Sequence, residues 1–123
     1  MAESTILNRT PKWTKLTSEP QVFSSKTAGA TKDFYVGNSN KYTELLVVIG
    51  AVNSDQIYGG FGVHIIMSDW PSMVQFVPVY TTSTTTPVGV VTAIFNTGGN
   101  VHCGLSTNWT STSFYPGFLV YGR

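Results

Sequence analysis

Five consecutive apolar residues, Leu45, Leu46, Val47, Val48 and Ile49, lie inside the stretch YTELLVVIGAV from Tyr42 to Val52. In an extended strand successive side chains point to opposite faces, so a run without polar alternation needs cover on both sides. A strand of a half-wet antiparallel sheet alternates apolar with polar. This one does not, which predicts a central strand packed on a core by one face and on a second surface by the other. The same run fits a short buried helix, but its β-branched residues, the break at Gly50 and the segments downstream favour the extended form. Another subunit is the expected second cover, and Tyr42, Leu45, Leu46, Val47, Val48 and Ile49 are the candidate oligomer interface.

Around that strand the chain reads as short extended segments separated by turns. Residues 1–11 are polar and unpatterned, a flexible lead or the joint to a preceding segment, and a single domain is expected over 12–123. KWTKLT, QVF and DFYVG are strand-like, with the small polar loop Ser24 to Lys32 between the second and third. Beyond the NSDQ turn, Ile57 to Met67 contains three glycines, which permit bulges or close backbone approach. Pro78 assigns the MVQFVPVYTT segment to a sheet edge or a bulge, because proline cannot donate in a ladder. The Thr81 to Pro87 tract reads as a surface loop, and TGGN from Thr97 to Asn100 as a hairpin connection. FYPGFLVYG closes the chain. Short strands at regular spacing with no helical period predict an all-β fold, an antiparallel β-sandwich of jelly-roll-like form.

Composition narrows the function more than it names it. A chain of 123 residues and 13.4 kDa buries one core without disulfides or metal. Charged residues make up only 11%, against the roughly 25% usual in soluble domains, which lowers the electrostatic barrier to self-association. A net charge of +1 with scattered Lys and Arg supplies no field for phosphates, so nucleic acid is disfavoured. No segment approaches the ~20 apolar residues of a membrane span, and MAESTILNRT lacks the basic and apolar regions of a signal peptide. Synthesis in a cytoplasm is the expectation. Cys103, the single cysteine, reads as a small buried hydrophobe.

An enzyme needs acids, bases or nucleophiles placed together, and six carboxylates, two histidines and one cysteine form no catalytic pattern. His64 and His102, each within a strand, could meet across a sheet to hold a metal, but no ligand set is completed around them. Packed or hydrogen-bonded imidazoles are the plainer reading, and no metal or cofactor is expected. The one constellation suited to recognition is aromatic residues in polar turns: Asp69 with Trp70, Asn108 with Trp109, and Asn53 and Asp55 with Tyr58. A saccharide presents apolar C–H faces that stack on flat rings, and hydroxyls that pair with short planar groups such as Asp and Asn. The plain alternative is that each Trp folds back as a lid on the sandwich end. Phe61, Phe76, Phe95, Phe114 and Phe118 alternate within strands and read as core.

The polar lead, the YTELLVVIG strand, the Thr-rich middle, the Gly-turn hairpin and the terminal FLVYG strand together resemble the C-terminal head domains of bacteriophage tail fibres and related receptor-binding proteins. The resemblance spans Lys12 to Arg123 and rests on general style, with no diagnostic motif. It implies a homotrimeric β-sandwich in the virion that binds cell-surface glycans without catalysis. A purely structural virion component, a capsid decoration or tail protein with protein partners alone, is the alternative. An enzyme acting on a cell-wall polymer ranks last for want of converging carboxylates.

Overall fold

The computed structural model describes residues 12–37, 41–66, 74–81, 85–96 and 98–123. Among them there is no helix, and nine strands follow one another: β1 (Thr14–Lys15), β2 (Gln21–Val22), β3 (Thr31–Tyr35), β4 (Glu44–Asn53), β5 (Gln56–Ile66), β6 (Gln75–Val79), β7 (Gly89–Phe95), β8 (Asn100–Leu105) and β9 (Tyr115–Gly122). They form two antiparallel sheets. The first has the order β1-β9-β4-β5, with β2 also on β9, and the second has the order β3-β8-β7-β6. The hairpins β4–β5, β6–β7 and β7–β8 each stay within one sheet, as does the link from β1 to β2, while the remaining connections carry the chain between sheets.

Alternation explains which residues meet between the sheets. On β7 and β8 every second residue is buried: Val91, Ala93 and Phe95 on one, Val101, Cys103 and Leu105 on the other. The residues between them point outward, as a period of two requires. Opposite these, Val47, Ile49, Phe118 and Val120 close the core from the first sheet, and Phe23 meets Phe118 edge to face at 6.3 Å between ring centroids.

The unbroken apolar run is β4, flanked by β9 and β5. Leu45, Val47 and Ile49 face the second sheet and are fully buried within one chain. The expected subunit interface therefore does not hold for these three, because the chain's own second sheet covers that face. Leu46 and Val48 point the other way and are half-buried, beside Tyr121 and Leu119, their register partners on β9. Tyr42 packs partly against the core, close to Gly122. The register shift between Ile49 and Ala51 is a bulge in β5, since β4 stays in unbroken register with β9: Ala51 continues the core-facing side, and Val52, on the other side close to Gly117, is also buried.

Two of the five phenylalanines read as core are not. Phe95 and Phe118 are buried and Phe114 is half-buried, but Phe61 on β5 and Phe76 on β6 are 62% and 66% exposed. Both lie on strands at the open side of the sandwich, where alternation no longer guarantees cover. β6, which carries Pro78, is an edge strand of its sheet.

Candidate functional site

The β4–β5 hairpin and the loops that lead into and out of the second sheet meet at one end of the sandwich. The hairpin turns through two residues, Ser54 and Asp55, between the paired Asn53 and Gln56. Ser54 has a φ of 58°, the left-handed region that a two-residue hairpin demands at its first central position. Beyond the turn, the Tyr58 hydroxyl donates to Gln56 Oε1 at 2.7 Å, and its ring meets Phe114 edge to face at 5.4 Å. The ring is 45% exposed.

Residues 106–114 approach the same end but are tied down throughout. Trp109 N–H donates to the Lys26 carbonyl and Thr110 N–H to the Val88 carbonyl, both at 2.8 Å. The indole Nε1–H donates to the Phe114 carbonyl at 2.9 Å, so the one polar atom of the ring is satisfied internally. The ring lies over Gly89 so closely that a Cβ there would come within 2.5 Å of Trp109 Cε3. Asn108 Oδ1 accepts from Ala28 N–H at 2.8 Å. At 5% exposure Trp109 is a lid on the core, not a stacking platform, and Asn108 serves the loop. Asp69 and Trp70 lie outside the described residues.

Sequence reading missed the other half-exposed ring at this end. Tyr115, 49% exposed, opens β9 opposite Val52, and Lys26 Nζ stands 4.1 Å from its ring centroid while donating to the Thr112 carbonyl. The usable signal was Pro116: a residue before proline at the start of a strand is held extended, so its side chain is presented at the sheet end. Beside it, between β2 and the hairpin turn, lies a concavity of about 300 Å³ lined by Glu19, Pro20, Gln21, Val22, Lys32, Ser54 and Asp55. No ion pair among the described residues engages Glu19, Lys32 or Asp55. Of the sequence-derived set, then, Asn53, Asp55, Tyr58 and Asn108 are exposed, Asn108 with its Oδ1 held by the Ala28 N–H, and Tyr115, Lys26, Glu19 and Lys32 join them at this end.

No protein-family model matches this chain, and no curated protein and no solved structure matches it either.

Among the described residues the remaining titratable groups build no second site of this kind. At the far end of β4 the Glu44 carboxylate accepts from Arg123 Nε at 2.8 Å and lies 2.7 Å from His64 Nε2. The Arg123 guanidinium in turn stacks over Trp13 at 4.2 Å. The Arg123 bond, and after it the His64 contact, holds the Glu44 carboxyl below its ordinary range despite some desolvation. His102 Nδ1 pairs with Asp33 Oδ1 on the outer face of the second sheet. The two histidines thus sit on opposite sheets, each with its own carboxylate, and do not meet. Among the described residues no three or more His, Cys, Asp or Glu gather as a metal site. Cys103 is buried, and burial, followed by the charge of Asp33, pushes its thiol far above the ordinary range, so the thiolate nucleophile is not formed near neutral pH.

Proposed function

We propose that this chain is a noncatalytic structural and adhesion domain of the phage type, binding a cell-surface carbohydrate at the hairpin end of its sandwich. The observation that carries this reading is a concavity at the hairpin turn whose Glu19, Lys32 and Asp55 make no ion pair among the described residues, at the same end of the sandwich as the half-exposed Tyr58 and Tyr115, which flank it from the two faces of the first sheet. Rings offer apolar faces to sugar C–H groups, and the charged and amide groups meet hydroxyls. Such a site is shallow. Its affinity gains from display on an oligomer, which raises avidity without new contacts. In the fibre-head reading the fold is jelly-roll-like and the oligomer a trimer in the virion, with Leu46, Val48, Leu119 and Tyr121 of the outer sheet face turned toward the other subunits.

A glycan array probed with the purified protein tests the proposal. Binding that survives in the wild type and disappears with Tyr115→Ala and Asp55→Ala supports it. An array without signal, together with host adsorption unaffected by these substitutions, removes it.

One observation favours the assembly alternative. Phe61 and Phe76 are exposed on adjoining edge strands, away from the tyrosine end, and apolar surface of this kind suits protein partners. Under that reading Phe61→Lys and Phe76→Lys abolish incorporation into particles while the tyrosine substitutions do nothing.

A further inference from the structure

We propose that the β5 edge is a pairing site for a second copy of this chain, joined strand to strand in antiparallel register. An edge strand presents a row of N–H and C=O groups, and proteins ordinarily blunt it with shortness, charge or proline. The other edges of this sandwich are blunted in those ways. β1 and β2 are two residues each, β3 carries Lys32 and Asp33, and β6 carries Pro78. β5 runs for 11 residues without an Asp, Glu, Lys, Arg or Pro. The side chain on it most ready to carry a charge near neutral pH, His64, is engaged by Glu44.

Part of β5 is already covered, since the Tyr80 carbonyl oxygen would lie 2.0 Å from a Cβ placed on Gly59. From Phe61 to Ile66 no backbone hydrogen bond to the outward side occurs among the described residues. Phe61 marks what is missing. It pairs with Ile49, whose side chain points into the core, so the two share the core-facing side, yet Phe61 is 62% exposed. A further strand beside β5 would cover it.

Charge decides the occupant. A neutral edge gains by meeting another neutral edge, because neither desolvates a charge on pairing. Among the sheet edges that the described residues form, β5 alone is both long and free of Asp, Glu, Lys, Arg and Pro, and a strand meets its own copy antiparallel about a twofold axis. An axis normal to the sheet through Val63 sets Phe61 of each copy opposite Ile65 of the other on the core side. The first sheet then continues across both copies. This contact uses the strand edge, not the outer face, and does not depend on the carbohydrate reading.

The test is solution mass by light scattering after gel filtration for the wild type, Phe61→Lys, Ile66→Lys and, as a control on the other sheet, Phe76→Lys. The expected result is a wild-type mass that is an even multiple of 13.4 kDa, halved by Phe61→Lys and by Ile66→Lys and untouched by Phe76→Lys, with circular dichroism unchanged throughout. Ile66 is exposed, so Ile66→Lys decides the matter if Phe61→Lys fails to fold. A wild type that is monomeric at high micromolar concentration or trimeric, or a mass that resists the edge substitutions, overturns the proposal. So does a mass halved by Phe76→Lys, which would place the contact on β6.

Discussion

The 106–114 loop and the β4–β5 hairpin both combine an aromatic ring with short polar residues, and they end at the same pole of the molecule with opposite roles. In the loop, backbone and side-chain hydrogen bonds pull Trp109 inward until it closes the core over Gly89. In the hairpin, two residues complete the turn, nothing draws Tyr58 beneath the surface, and its ring stays half in water. An aromatic beside a polar turn stays at the surface where the connection is too short to fold it back. The length of connection between paired strands, more than the residue type, separates a buried lid from an exposed ring.

The largest break in that comparison comes from Trp109→Ala. Removing a buried tryptophan from the end of the core costs about 3–5 kcal/mol, read as a lowered urea midpoint at unchanged slope. Gly89→Ala attacks the same contact from beneath and costs about 1–3 kcal/mol by overpacking. In a Trp109→Ala background that cost vanishes, and a double-mutant cycle measures the coupling. Tyr58→Ala and Tyr115→Ala should each cost only about 0.5–1.5 kcal/mol, the value of one aromatic contact, while removing carbohydrate binding on the array. Ser54→Gly relieves the left-handed backbone at the turn and raises stability by a few tenths to about 1 kcal/mol, with a slightly higher melting temperature.

The smallest effect lies at the far end of β4 and serves as the control. Because folding lowers the Glu44 carboxyl below its ordinary 4.5, its contribution to stability is fully present above that value and fades as pH falls through the lower folded value. The gap in urea midpoint between wild type and Glu44→Gln should therefore hold steady at neutral pH and narrow in acid. Carbohydrate binding at the hairpin end should be indifferent to the substitution.

Strand positions were legible where the signal is local: the unbroken apolar run of β4, the turn after Asn53 and the missing N–H of Pro78 on an edge strand are all of that kind. Sheet partners were not. Nothing local in LLVVIG records that Leu45, Val47 and Ile49 find their cover in the chain's own second sheet, since three of that sheet's four strands, β6, β7 and β8, come later in the chain. The same limit explains Phe61 and Phe76: alternation gives a side chain's direction, while burial depends on whether another strand lies beyond the edge. For the candidate site, Asp55 and Tyr58 could be picked out from turn chemistry, whereas Glu19 and Lys32 reach the concavity from β2's approach and from β3, brought there only by the packing of two sheets.

The pairing of β1 with β9 has a mechanical side. Two residue pairs, Thr14 with Gly122 and Lys15 with Tyr121, and the hydrogen bonds of Leu16 and Thr17 with Val120 join the start of the sandwich to its last strand, whereas β9 is laced to β4 from Tyr115 to Gly122. Tension transmitted through Lys12 meets that short seam first. It can peel β1 away like the end of a zip and leave β4, β9 and the hairpin pole in place, so the domain yields slack under load before its two sheets part.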